Sequence, residues 1–390
     1  MKGNYTISQI VKKIHFLALI IILGSCVQQP AATLIIEGDI STDTTWASDT
    51  IYIISQEVRV IDGATLTIEP GTLIKANPGE YPNASMLIIA KGAKINAVGT
   101  AEKPIVFTSS DDNITHVNQS SESLLNENNK GLWGGIIILG SAPISVQSGD
   151  TSTFYVGLDP DDSNSFYGGT QAEDNSGILK YVSIRFGGTY MGTGSESNGL
   201  TLCGVGNQTE IDQIEVFANQ DDGVEFFGGT VNASNLLIYS SGDDGLDLDE
   251  GYTGKISNLM VVLGNQSDSG IEISGGKGTF SGEFSIEGVN LSVSTSNEDQ
   301  VMMRIDALSN GTISSITTSD FLDVSKIQLQ STKVMLHDLS ILKNGIPANK
   351  LSEIKGEGSN KNQVHFAQEM VIEGKAQGFD WTFTQQRISL

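Results

Sequence analysis

Paired aspartates recur at one point of a repeat in the run DDGVEFFGGTVNASNLLIYSSGDDGLDLDEGY, residues 221–252. Asp221-Asp222-Gly223 returns 22 positions later as Asp243-Asp244-Gly245, and Asp268-Ser269-Gly270 follows. After each glycine, apolar and polar residues alternate: Val224 and Phe226 with Glu225 and Phe227, Leu246 and Leu248 with Asp247 and Asp249, Ile271 and Ile273 with Glu272 and Ser274. Successive side chains of a strand point to opposite faces, so the first set is predicted to fill a core and the second to face solvent. Glu225, Asp247 and Glu272 then form one column, and Asp222 and Asp244 stack at the preceding turn. Like charges one strand spacing apart, about 4.8 Å, repel by on the order of 1 kcal/mol per pair even in water. Solvent and salt, backbone N–H groups of the turns, or a bound cation can offset that. Turn aspartates commonly accept an N–H bond from two residues on, which would suffice for Asp222 and Asp244. It does not account for Glu225, Asp247, Asp249 and Glu272 on strands, where hard oxygen ligands converging on one face suit calcium. Asp222, Glu225, Asp244, Asp247, Asp249 and Glu272 are the candidate calcium ligands, although no established calcium-loop spacing is present. Phe227, beside them, is a candidate sugar-stacking residue.

The elements that must hold these residues form a repeat. SNGLTLCGVG (197–206), DDGVEFFGGT (221–230), DDGLDLDEGY (243–252) and DSGIEISGGK (268–277) align, with glycines at 199, 223, 245 and 270. A second set of strands lies between them: YVSIRFGG (181–188), QIEVFANQ (213–220), NLLIYSSG (235–242) and NLMVVLGN (258–265). Each is a β-branched run closed by Gly, Asn or Ser, and none has the apolar spacing of a helix. A period of 22–25 residues is half what a propeller blade needs but fits one coil of a parallel β-helix. DGATLTIEPGTLIKA (62–76), KGAKINAVGTAEKPIVFTSS (91–110), NGTISSITTSDF (310–321) and TKVMLHDLSILKNG (332–345) read as further coils. The fold class expected is all-β: a right-handed parallel β-helix solenoid of roughly ten to twelve coils over residues 33–345, with a longer turn within 277–305. Open ends of such a stack invite edge pairing, so caps are expected over 33–61 and 346–390, with FDWTFTQQ (379–386) as an aromatic lid on the last coil. DPDDSNSFYGG (159–169) reads as an acidic insertion, a lid or ligand edge.

The ends and the charge bound the class. Residues 1–25 carry Lys2, Lys12 and Lys13, then an apolar stretch of about a dozen residues, which is the pattern of an export signal. LGSC, Leu23 to Cys26, resembles the lipobox of bacterial lipoproteins, making Cys26 the predicted lipidated N-terminus and 26–32 a tether. Cys203 is then left without a partner, and no disulfide staples the chain. It reads as a small filler. The formal charge of −24 argues against nucleic acid and anionic membrane surfaces as partners and is compatible with cations.

ATLTIEPGTLIKA, GLWGGIIILGSAPI (131–144), NGLTLCGVG and DDGVEFFGGTVNASNLLIY together resemble the right-handed β-helix lipoproteins of Bacteroidota with a pectin-lyase-like fold. The resemblance covers most of residues 34–345. It implies an outer-membrane or cell-surface address, with transport or secretion machinery among the partners, but no activity. Pectin hydrolases of this fold pair clustered aspartates with a histidine in a Gly-His-Gly turn. No such turn occurs here, and His15, His116, His337 and His365 are scattered. A calcium-dependent polysaccharide lyase would need a basic residue as proton acceptor, and either Arg304, placed roughly in the column of Asp249 and Ser274, or Arg185, on the other strand face, could serve. The leading expectation is a lipid-anchored envelope protein presenting an acidic, calcium-binding face to an extracellular ligand such as a polysaccharide. The lyase and a structural or adhesive spacer are the alternatives.

Overall fold

The computed structural model describes residues 32–117, 122–192, 195–295, 299–319, 327–343, 346–347, 354–355, 363–367 and 378–388. The export signal and Cys26 lie outside the described residues. From residue 32 onward the chain winds as a right-handed parallel β-helix, the hand that a right-twisted strand imposes on a parallel crossover. Among the described residues its coils share one sheet of 16 strands and one of ten, and each sheet runs almost entirely parallel. The ten-stranded sheet falls within the ten to twelve coils expected.

The repeat of the sequence is the repeat of the strand register. Leu200, Val224, Leu246 and Ile271 pair in succession, as do Leu202, Phe226, Leu248 and Ile273. All eight are buried, stacked in columns down the core. Burying a side chain of this size contributes about 1.5–3 kcal/mol, so identical inward positions in each coil supply most of the cohesion of the stack.

A coil has three sides because the strands of the longer sheet bend in the middle. Gly177–Arg185, Glu210–Phe217, Asn232–Tyr239 and Lys255–Leu263 each place one residue in the left-handed region: Tyr181, Gln213, Asn235 and Asn258, with φ of 51–56°. These four open the second set of aligned segments. Asparagine tolerates this conformation, and here its side chains also bridge coils. The Asn258 amide donates to Asn235 Oδ1 at 2.6 Å, and that of Asn235 to Asp212 Oδ1 at 2.6 Å.

Two segments leave the stack and cover it. Ile136–Leu139 is buried on both faces, because the insertion carrying Ile144, Tyr155, Leu158 and Tyr167 packs on the outside of the ten-stranded sheet. The C-terminal helix Phe383–Ile388 covers the outside of the longer sheet. This corrects the expected position of the aromatic lid: Phe379 and Phe383 pack on Phe186, Phe217 and Tyr239, on the flank of middle coils and not over the last one. The expected N-terminal cap is itself built from coil strands, the first of which, Ala32–Ile36, pairs with Thr50–Ile54. The longer turn of 277–305 is present: Glu272 and Arg304 are register neighbours although 32 residues separate them.

Candidate functional site: a carboxylate ladder under an aromatic insertion

One residue before each repeat glycine stands a polar side chain: Asn198, Asp222, Asp244 and Ser269. Gly223 is needed because a Cβ there would lie 2.3 Å from Ile238 Cγ2 and 2.7 Å from the Gly245 carbonyl oxygen. The tight turn presses each aspartate against the next coil. Asp222 Oδ1 accepts the Asp244 N–H at 2.9 Å, and Asp244 Oδ1 accepts the Ser269 N–H at 2.8 Å and its hydroxyl at 2.5 Å. The turn aspartates thus do bond backbone amides, but in the neighbouring coil, not two residues on. Asn198 donates its amide to Glu225 Oε2 at 2.5 Å, and Asn219 donates to the Asp222 carbonyl at 2.8 Å.

The strand acids form the predicted column: Thr201, Glu225, Asp247, Glu272 and Arg304 follow one another in register. Alternation gave the side correctly but not the solvation. Thr201 and Cys203 are fully buried and Glu225 is only 9 % exposed, because the insertion covers the outer face at these coils. The sequence carried a signal of this in Ile136, Ile137, Ile138 and Leu139, an unbroken apolar run that a strand shows when both its faces are covered. Phe227 points outward, as read, but sits half-buried under Tyr155 (centroids 5.7 Å) and Tyr167 (6.2 Å).

Arg304 is misplaced by the sequence reading. It stands in the column of Glu272, not Asp249, and its guanidinium contacts Asp268 at 2.8 Å and Glu272 at 2.6 Å. These hydrogen bonds raise its pKa above the usual range and favour the cation. Arg185 is buried on the longer sheet with its guanidinium 4.2 Å from the Phe383 ring centroid, away from the acids.

The six candidate ligands therefore divide. Glu272 has Arg304, and Asp249 has Lys277 at 3.6 Å. Asp244 groups with Asp243 and Asp268, and Asp222, Glu225 and Asp247 form another group; in each, the oxygens all lie within 4.8 Å of one another. Asp247 Oδ1 is sequestered from solvent without a hydrogen-bond partner among the described residues, as is Asn198 Oδ1. Burial pushes the carboxyls of Asp222, Glu225 and Asp247 well above the usual range, and neighbouring acids add to it. Burial likewise raises Asp244 to about 8, and Asp221 and Glu250 to about 7. Such a group must either keep protons at neutral pH or hold a cation. A donor set made only of carboxylate and amide oxygens, with two of them unpaired, fits a hard divalent cation such as calcium.

Residues not singled out individually in the sequence complete the site, Asp162 and Tyr167 lying within the acidic insertion 159–169 expected as a lid or ligand edge. Tyr167 donates its hydroxyl to Glu250 at 3.1 Å, and Arg59 pairs with Asp162, fixing the insertion to an early coil. Between the insertion and the aspartate turns lies a cavity of about 520 Å³. Nothing in the sequence pairs these segments, since they meet only when the insertion folds back over the sheet.

The family model for the pectate-lyase-like β-helix domain matches residues 38–383. No curated protein and no solved structure matches the chain.

Proposed function

The chain belongs to the pectate-lyase-like β-helix domain family, and from that premise we propose that it is a lipid-anchored cell-envelope protein whose carboxylate ladder holds calcium beside a glycan-binding face. A family of this kind is compatible with polysaccharide-related work. The observation that carries the cation is the Asp222–Glu225–Asp247 group, whose Asp247 Oδ1 is buried with no donor among the described residues. Asp222, Glu225 and Asp247 would hold the ion, with Asn198 Oδ1 next to Glu225. A bound calcium would supply positive charge to offset the ladder and a contact for glycan oxygens. Phe227, Tyr155 and Tyr167 supply ring surface beside it. Cys26 in the LGSC motif carries the proposed anchor, and the proposed address is the outer membrane or cell surface, as the resemblance to Bacteroidota β-helix lipoproteins implies.

The test has two arms. Wild-type and Cys26→Ala chains are compared by membrane fractionation; equal partitioning would remove the anchor. The purified mature chain is passed over immobilised polysaccharides in calcium and in EDTA. Calcium-dependent retention that Asp247→Asn abolishes is expected, and retention that ignores both calcium and Asp247→Asn would contradict the reading. The ion pairs of Arg304 with Asp268 and Glu272 weigh against it as the proton acceptor of the lyase alternative.

A further inference from the structure

We propose that the cavity between the insertion and the aspartate turns binds an organic ammonium group, the chemistry of an amino sugar or a polyamine. Five carboxylates line it: Glu196, Asp221, Asp222, Glu225 and Glu250. Four rings also line it: Phe154, Tyr155 and Tyr167 from the insertion, and Phe227 from the strand that carries Glu225. No lysine, arginine or histidine is among its lining residues. The cationic side chains of the ladder are used elsewhere, Arg304 on Asp268 and Glu272 and Lys277 on Asp249.

Acids next to rings are not enough to define a ligand, but two of these acids are deeply buried and half used. Asp222 is 7 % exposed and spends Oδ1 on the Asp244 N–H. Glu225 is 9 % exposed and spends Oε2 on Asn198. The second oxygen of each carries no hydrogen bond within the described residues. Both side chains line the cavity, so the free oxygen of each is open to a cation there. The cavity, at about 520 Å³, is much larger than an ion needs and is the size of a small organic ligand. An ammonium group satisfies both linings, since it pairs with carboxylates and is attracted to the negative faces of aromatic rings. An anionic uronate would bring a further acid to a cluster of five, and an acetylated amine would bring no positive charge to it.

The inference rests on the glycan-binding role proposed for this face and names its ligand class. Calcium held by Asp222, Glu225 and Asp247 would leave Glu196, Asp221 and Glu250 facing the cavity, so the two readings can be separated.

Isothermal titration of the full mature chain at physiological salt tests it, with the glucosamine trisaccharide, its fully N-acetylated form, and spermidine, each with and without calcium. The free-amine trisaccharide or spermidine should bind at one site at least tenfold more tightly than the acetylated sugar. The tighter of the two identifies the source of the ammonium group. Phe154→Ala, at the rim, should weaken binding about fivefold without changing net charge, whereas Glu37→Gln, a remote exposed site, should leave it unchanged. Affinity that follows net charge alone, many weak sites, or equal binding of the acetylated sugar would overturn the proposal. A chain stabilised by calcium that binds neither amine loses only the ammonium assignment. Amine binding without any calcium response keeps that assignment and removes the calcium reading.

Discussion

At the residue scale, the Asp-Asp-Gly repeat fixed where the charge lies but not how it is held. Spacing alone put Glu225, Asp247 and Glu272 in one column, because parallel strands of equal period stack identical positions. It could not show that Glu225 is covered or that Arg304 closes the column, since both depend on segments far away in sequence. The raised carboxyls give a signed pH dependence. A carboxyl whose folded pKa lies above its unfolded value stabilises the fold fully below the unfolded pKa and loses that contribution as pH rises through the folded one. For Asp244 that window runs from about 4 to about 8. In EDTA, the melting temperature should therefore fall on the order of 5 °C between pH 5 and pH 8. Asp244→Asn should flatten part of that slope. A wild-type melting temperature that is constant or rises across the window would contradict burial as the cause.

At the element scale, the coil strands were legible and their coverings were not. Inward apolar positions repeat within a few residues and announce themselves. The C-terminal aromatics announced only that they must pack somewhere. Their destination was written in outward positions of the quoted strands, Phe217, Leu237 and Met260, which have no reason to be apolar unless covered. Glu215 completes the attachment. Its carboxylate accepts the N–H groups of Phe383 at 3.0 Å and Thr384 at 2.7 Å, the Thr384 hydroxyl at 2.7 Å and the Ser183 hydroxyl at 2.5 Å. It thereby caps the first turn of the helix, where N–H groups lack intrahelical partners. Phe383→Ala removes a fully buried ring that also stacks under Arg185, a loss of about 3–5 kcal/mol of docking. Limited proteolysis should then release the C-terminal segment while the coils stay intact. Unchanged protection of residues 378–388 would show that the flank contact holds nothing.

At the scale of the whole molecule, the period of 22–25 residues was sufficient to predict the solenoid, because each coil contacts chiefly its neighbours and repeats their solution. The same one-dimensional logic makes an ion between coils a global matter. Asp222 and Glu225 belong to one coil and Asp247 to the next, so a cation there ties an interface in the middle of the stack. Differential scanning calorimetry of the mature chain, with calcium or sodium at matched ionic strength, is the most direct measurement. Screening alone would raise the melting temperature equally in both salts. Coordination adds about 2.7 kcal/mol at a calcium concentration 100 times Kd, which shifts the melting temperature by a few degrees. Calcium should exceed sodium by that margin, and Asp222→Asn/Asp247→Asn should lose the excess. Identical curves in the two salts would contradict the account and leave the ladder as carboxyls that share protons.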